Sequence, residues 1–317
     1  MNAMSEDTHN AGFHRARLRW RLLASALVAL AFVVVADPAA AQLPPAVESL
    51  FELRTADGNK FIGRVISETE GLIVFESITG TRLELNRAFV RLRPARGRLV
   101  DGEFWEADRH TSRLFFAPTG RTLAAGEGYI GLFLILPFIG YGATDNLTLA
   151  GGIPPAGDFA SSPVWLAPKF RVLNQPERQV SAGLFAIHLP RTGCADFEVD
   201  CEDEEGGWVG ITYGIATFGS DDAAIHAGGG VTFATGDVDA GKIPLMVGGE
   251  RRVGRRTKLL TENWLIPGEG GAASVGLRRI GERWTWDFGW MFLFGGESGD
   301  DVPYFPVISF SYGFGGR

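Results

Sequence analysis

Six aromatic side chains alternate along residues 284–294, and they constrain the fold more than any other feature of the sequence. They are Trp284, Trp286, Phe288, Trp290, Phe292 and Phe294. Because successive side chains of a β-strand point to opposite faces, all six fall on one face of a strand. Such a face requires either a very large soluble core or contact with lipid, where aromatic girdles border an apolar band.

Other segments show the same period of two, with apolar residues on one face and small, polar or charged residues on the other. The apolar sets are Val164, Leu166, Phe170 and Val172; Val209, Ile211, Tyr213 and Ile215; and Ile225, Ala227, Val231 and Phe233. A soluble core would need apolar strands packed against the aromatic face, but the second faces of these segments are small, polar or charged. We therefore expect the apolar sets to face lipid. A sheet crosses lipid only as a closed barrel. The sequence therefore predicts an all-β fold with an antiparallel transmembrane β-barrel at residues 111–317.

Loop lengths predict the number of strands, because outer-membrane barrels alternate short periplasmic turns with longer outer loops. From Tyr129 onward the connections alternate in this way and separate eleven strands. The first of these runs from Tyr129 to the turn at Asp145 and Asn146. A twelfth strand at residues 111–117 would close the barrel and leave the preceding chain in the periplasm. We predict about twelve strands, with ten as the alternative.

The first part of the chain has a different composition. Only seven of the 43 glycines precede residue 120. Turn pairs such as Asp57-Gly58 and Thr79-Gly80 separate short apolar runs, which predicts four or five strands in residues 45–98. The turn spacing resembles that of SH3-like and Sm-like barrels, and this resemblance implies a small β-barrel domain. We interpret residues 99–110 as a linker.

Residues 1–41 have the pattern of a secretory signal. Four arginines between positions 15 and 21 precede an uncharged apolar stretch at 22–36, and three alanines at 39–41 offer a cleavage site. The alternative is an uncleaved anchor, for which the apolar stretch is short. We therefore expect the barrel in the outer membrane and the domain at 45–98 in the periplasm. The net charge of −7 argues against a nucleic-acid partner.

The two cysteines, Cys194 and Cys201, lie in one acidic loop. In an oxidising compartment this spacing predicts a local disulfide. The loop has no further thiol or histidine for a zinc site, so we predict no metal site. A Ca²⁺-binding loop is the alternative to a solvated acidic loop.

Several polar residues fall at inward positions of the predicted strands. These candidates for lining the lumen are Lys169, Arg171, His188, His226, Glu250, Arg252, Glu262, Arg278 and Asp287. A charge on the lipid face would cost roughly 2–4 kcal/mol near the midplane, so we expect these residues in the lumen. They either line a narrow solute-selective pore or form a salt-bridged plug.

No residue is assigned a catalytic role. His188 could meet Ser161 or Ser162 as in an outer-membrane hydrolase, but no motif fixes that pairing. We expect no enzyme activity and no cofactor. The leading hypothesis is a narrow channel or another non-enzymatic envelope protein, and a plugged structural or interaction barrel is the alternative. The expected partners are outer-membrane lipid and a periplasmic component bound through the N-terminal domain.

Three stretches of sequence also carry a resemblance to a group of proteins. They are TSRLFFAPTG at residues 111–120, GEGY at 126–129 and YGATDNLTL at 141–149. These stretches resemble uncharacterised bacterial outer-membrane barrel proteins with a small N-terminal domain. The resemblance implies the fold and the location, and it implies no activity.

Overall fold

The structure is a computed structural model, and it describes residues 50–153, 163–190, 206–235, 240–295 and 303–316. Within these residues the regular structure is almost entirely β-strand. No helix in the described ranges is long and apolar enough to cross a membrane.

A five-stranded antiparallel sheet begins the described chain. Its strands are β1 (Phe51–Thr55), β2 (Lys60–Glu68), β3 (Leu72–Ser77), β4 (Arg82–Asn86) and β5 (Val90–Pro94), in the order β4-β3-β2-β1-β5. A single 3₁₀ turn at Arg87–Phe89 connects β4 to β5. Leu53, Ile73 and Phe75 alternate inward along β1 and β3 and are fully buried, so the sheet has an apolar core of its own.

A second, two-stranded element follows the sheet. Strands β6 (Gly97–Val100) and β7 (Glu103–Glu106) pair as an antiparallel hairpin. The tight turn is made by Asp101 and Gly102, both with positive φ. Much of the segment that we predict as a linker at residues 99–110 is therefore ordered β-structure.

The rest of the described chain forms the barrel. Its strands are β8 (Gly128–Phe133), β9 (Leu136–Thr144), β10 (Leu147–Gly152), β11 (Val164–Leu166), β12 (Lys169–Gln175), β13 (Arg178–Leu189), β14 (Gly207–Gly219), β15 (Ala223–Ala234), β16 (Leu245–Gly254), β17 (Thr257–Ile266), β18 (Gly270–Ile280), β19 (Trp284–Gly295) and β20 (Tyr304–Phe314). β11 and β12 are parts of one strand interrupted at Ala167 and Pro168, because both pair with β10 and β13. β20 pairs with β8, so the barrel is closed with twelve antiparallel strands, and the predicted number is confirmed.

Two strand assignments at the start of the barrel are wrong. Residues 111–117, predicted as the first strand, lie inside the barrel, where Leu114 and Ala117 are fully buried. The strand that completes the twelve comes from residues 128–144, predicted as one strand. In the structure they form the hairpin β8–β9, which turns at Leu134 (φ +55°) and Ile135.

The aromatic face of β19 points away from the barrel interior. Trp284, Trp286, Phe288 and Trp290 are each 43–49% exposed, whereas Phe292 and Phe294 are partly buried. The opposite face of β19 carries Thr285 and Asp287, both buried in the interior.

Strand β14 has the opposite orientation from the one predicted. Ile215 is buried in the interior, and Ile211 and Tyr213 line the same interior space. The alternate residues Thr212 and Phe218 are exposed. The expectation that Val209, Ile211, Tyr213 and Ile215 face lipid is therefore wrong, because part of the barrel interior is itself apolar.

Five short turns lie at one end of the barrel, which we call the short-turn end. They are the turns near residues 145–146, 176–177, 220–222, 255–256 and 281–283. The N-terminal elements contact this end. Arg54 and Arg93 form ion pairs with Glu282, and Arg98 forms one with Asp222.

Candidate functional site in the barrel interior

Residues 107–127 connect β7 to β8, and all but the exposed ends of this connection occupy the interior of the barrel; we call these residues the interior segment. Both of its ends lie at the short-turn end, where Arg109 donates to the carbonyl of Glu282 and the amide of Ala125 donates to Asp145. A tight turn between Leu114 and Ala117 prevents the segment from running as a strand.

The guanidinium of Arg278 on β18 is the main contact between the wall and the interior segment. Arg278 stands directly opposite Asp287 on β19, and its Nε and Nη2 donate to the two carboxylate oxygens at 2.7 and 3.1 Å. Its remaining N–H groups donate to backbone carbonyls of His110 (3.0 Å), Arg113 (3.3 Å) and Leu114 (2.7 Å). A bidentate charge-assisted pair of this kind is strong and directional.

Arg113 makes the reciprocal contact from the interior segment to the wall. Its Nη1 donates to Asp287 at 3.1 Å, and its Nη2 lies 3.4 Å from the hydroxyls of Ser309 and Ser311 on β20. Its guanidinium also lies 5.0 Å from the ring centroid of Phe138 on β9. The barrel closes between β20 and β8. Arg113 therefore holds the segment to β19 and β20 on one side of this closure and to β9 on the other side.

A second cluster of charges surrounds Lys258 on β17. Its Nζ donates to Asp108 of the interior segment at 2.8 Å and to Glu250 on β16 at 2.9 Å. Glu250 also forms an ion pair with Arg121. All four groups are buried, so each charge needs these partners to offset its loss of water.

Glu262 on β17 binds the turn of the interior segment, and it forms no ion pair with any cation in the part of the chain that the structure describes. One carboxylate oxygen accepts hydrogen bonds from the amides of Phe116 and Ala117, both at 2.9 Å. The other oxygen accepts one from Trp264 Nε1 at 3.0 Å. Three donors thus satisfy a fully buried carboxylate.

Lys169 on β12 is a buried cation that binds the interior segment only through backbone carbonyls. Its Nζ donates to the backbone carbonyls of Ser112 (2.7 Å) and Thr119 (3.1 Å). Among the described residues no Asp or Glu forms an ion pair with it. An ammonium has three N–H donors, so one remains.

The structure brings six of the nine predicted lumen residues into the interior. Lys169, His226, Glu250, Glu262, Arg278 and Asp287 are each at most 4% exposed. The other three lie near the barrel ends: Arg171 contacts Asn146, Arg252 pairs with Asp222, and His188 packs on Trp208. The role of all nine in selecting solutes stays a prediction.

Sequence reasoning missed the charged residues of the interior segment. Asp108 falls in the predicted linker, and Arg113 falls in a predicted strand. Both become partners of buried wall charges. The concentration of polar residues in DRHTSR at 108–113, directly before the apolar LFFA, was the available signal.

His226 lies between a hydroxyl group and a carboxylate, as a catalytic histidine often does. Its Nδ1 shares a hydrogen bond with Thr217 Oγ1 at 2.8 Å, and its Nε2 lies 3.7 Å from Glu250. All three side chains are fully buried, and Thr217 Oγ1 already accepts the amide of Gly120. A substrate has no access to this hydroxyl, so the arrangement is structural.

Other expectations for the site fall partly outside the described residues. Outside the described residues lie the predicted disulfide between Cys194 and Cys201, the acidic loop around it, and the two serines Ser161 and Ser162. Within the described ranges, no group of three His, Cys, Asp or Glu residues could hold a metal ion.

An apolar cavity of about 130 Å³ lies in the interior beyond the charged layer, away from the short-turn end. We call it the aromatic chamber. Its apolar lining includes Phe115, Tyr129, Phe138, Trp165, Phe185 and Tyr213. Ser112, Arg113 and Lys169 also line it and form its polar side.

A charged cluster joins the N-terminal sheet to the short-turn end. Arg93 and Lys60 lie 3.0 and 3.3 Å from Glu282, and both also pair with the buried carboxylate of Glu52. Burial by itself raises the pKa of Glu52, but hydrogen bonds from Arg54 and Lys60 outweigh burial, and the pKa lies below its usual value. Burial likewise lowers the pKa of Lys60, but the neighbouring carboxylates raise it above its usual value.

Comparison with known proteins gives no family. No protein-family model matches the chain, and no curated protein matches it. Similar solved structures include the KdgM porin, with 8% identity over 60% of this chain and 98% of that one, at a TM-score of 0.41. A loop L8 deletion mutant of OmpT from Vibrio cholerae has 12% identity over 84% and 96%, at a TM-score of 0.37. These values are too low to assign the chain to either protein.

Proposed function

We propose that this chain is a non-enzymatic outer-membrane β-barrel protein whose lumen is closed by its own interior segment. The observation that carries the proposal is the saturation of the buried wall charges by that segment. Arg278, Lys258 and Glu262 each bind backbone or side-chain groups of residues 107–127. A pore that selects ions would instead present such charges to water.

The outer surface supports the membrane location. Monomeric soluble proteins rarely expose contiguous apolar patches larger than a few hundred Å². The outward faces of β12, β15 and β19 carry exposed side chains such as Val172, Val231 and Trp286. A closed barrel also satisfies its backbone hydrogen bonds between strands, as lipid requires.

The short turns support the orientation that we propose for the barrel. Outer-membrane barrels keep their short turns in the periplasm. This rule supports a periplasmic location of the short-turn end and the N-terminal sheet, as does the signal predicted at residues 1–41. We propose that the sheet at 50–94 is an SH3/Sm-like domain that binds a periplasmic component.

A narrow channel is the second candidate function, and one observation favours it. The interior segment is held by hydrogen bonds and ion pairs, and both of its ends lie at the same end of the barrel. Twelve strands lie between the small barrels filled by side chains and the open 16-stranded porins. Displacement of the segment would therefore open the lumen.

Membrane fractionation combined with semi-native gel electrophoresis tests the membrane barrel. The expected result is recovery with the outer membrane and a mobility difference between boiled and unboiled samples. A protein that stays soluble without detergent and shows no shift would overturn the proposal.

Planar-bilayer recording separates the closed barrel from the channel. We expect the purified protein to show no steady conductance, because the interior segment fills the lumen. Steady ohmic conductance of the unmodified protein would refute the closed lumen and establish the channel.

A further inference from the structure

We infer that the aromatic chamber is a binding site for a single-chain amphiphile with a monocarboxylate head group. The head group would lie at Lys169, beside Ser112 and Arg113, and the apolar chain would lie along the aromatic wall. This site does not depend on whether the barrel conducts.

The first argument is the charge balance of the interior. Five buried cations, Arg113, Arg121, Lys169, Lys258 and Arg278, face four buried carboxylates, Asp108, Glu250, Glu262 and Asp287. The described interior therefore has one positive charge in excess. Lys169 is the cation that lacks a carboxylate among the described residues, so the excess is located beside the chamber. One carboxylate would neutralise it, whereas a phosphate dianion would bring too much charge.

The second argument is the presence of unused hydrogen-bonding groups at the same place. Ser112 Oγ and Arg113 Nε are buried and have no hydrogen-bond partner among the described residues, and both residues line the chamber. Lys169 has one N–H donor left after its two backbone contacts. Buried polar groups are rarely left unpaired in folded proteins, and these three donors beside a cavity can together bind one carboxylate.

The third argument is the chemistry of the chamber wall. The lining apart from the polar side is almost entirely aromatic and aliphatic. Its volume of about 130 Å³ is close to the roughly 150 Å³ apolar cavity that binds benzene. The site thus holds the first carbons of an alkyl chain. The rest of the chain would extend past Phe133 and Leu136, which flank the tip of the hairpin β8–β9.

Carbon-13 NMR of carboxyl-labelled decanoate with the protein in lipid nanodiscs tests this site. We expect a bound carboxylate signal, distinct from that of decanoate dissolved in lipid. Decanol, with the same chain and no charge, should displace it at least about tenfold less well, the loss expected for one charge-assisted hydrogen bond. Acetate, with the charge and no chain, should not displace it.

Two pairs of variants locate the site. Lys169→Met should weaken decanoate binding about tenfold and leave decanol binding unchanged, whereas Lys242→Met, which removes a lysine outside the chamber, should change neither. Ala150→Leu fills the chamber and should weaken both ligands, whereas Ala182→Leu on the exposed face should weaken neither. The boiled/unboiled gel shift verifies that each variant forms the barrel.

Three results would overturn the inference. They are the absence of a bound signal, equal competition by decanol and decanoate, and unchanged binding in folded Ala150→Leu. If Lys169→Met does not fold, the competition between the two ligands on the unmodified protein decides the head group. A failed gel shift of the unmodified protein would refute the membrane barrel separately.

Discussion

Replacement of Arg278 by methionine should release the interior segment while the barrel stays closed. The guanidinium makes a bidentate pair with Asp287 and donates to three backbone carbonyls of the segment. Methionine retains much of the apolar volume but donates no hydrogen bond. Asp287 keeps Arg113 as a partner, so the substitution mainly removes the hydrogen bonds between β18 and the segment.

The size of the effect follows from these contacts. Arg278 also pairs with Asp108 of the segment at 3.3 Å; breaking a buried ion pair costs about 3–5 kcal/mol, and the lower figure applies because Asp108 retains Lys258. Leaving buried carbonyls unpaired costs at least about 1 kcal/mol each. The two contributions are not strictly additive, so we expect about 5 kcal/mol of weaker docking. At 1.4 kcal/mol per factor of ten, the undocked population rises between about 10³- and 10⁴-fold.

Amide hydrogen exchange at Phe116 and Ala117 measures this population directly. Both amides donate to Glu262 on the wall only when the segment is docked, so their exchange should accelerate by the same factor. Arg279→Met is the matched control, because Arg279 is the next residue on β18 and its side chain is exposed. Equal exchange rates in the two variants, with both barrels closed on the gel, would refute the role given to Arg278.

Three further predictions concern single positions. Glu262→Gln should lower the midpoint of urea unfolding by an amount equivalent to about 2 kcal/mol, because an amide N–H then faces the indole donor; an unchanged midpoint contradicts this. Gly140→Ala should lower the free energy of unfolding by about 1–3 kcal/mol, since the new Cβ would lie 2.5 Å from the ring of Tyr129. Gly214→Ala is the control, because its Cβ meets open space and the free energy of unfolding should not change. The N-terminal sheet should lose stability as the pH falls below about 4.3, because the pKa of Glu52 is lower in the folded state and its stabilisation is lost on protonation; a flat acid limb in circular dichroism would refute this.

The number of strands was predictable from the sequence, but the start of the barrel was not. The hairpin β8–β9 turns at Leu134 and Ile135, and neither residue is a turn former, so the sequence gives no signal for it. Residues 111–117 have the length of a strand, but three polar residues precede four apolar ones, and Leu114, Phe115 and Ala117 are buried inside the barrel. The two errors cancel, which explains a correct total of twelve.

The orientation of side chains was predictable only where the barrel interior is polar. On β12 and β19 the rule of apolar outside and polar inside holds, and Lys169 and Asp287 point inward. On β14 the rule fails because Tyr213 and Ile215 face the apolar part of the interior. Alternation identifies the two faces of a strand, but it does not say which face meets lipid when both environments are apolar.

The route of the interior segment has a topological consequence. Arg109 and Ala125, near its two ends, both contact the short-turn end, so the segment enters and leaves the barrel at the same end and does not thread through it. A loop of this kind can be withdrawn without unlinking the barrel or passing a chain terminus through it. Only non-covalent contacts resist its withdrawal. One of them is the ion pair of Asp108, which lies two residues after the end of β7 and is therefore linked to the N-terminal domain by a short stretch of chain. A mechanical pull on that domain would first break its ion pairs with Glu282 and Asp222, and it would then act on the ion pair between Asp108 and Lys258.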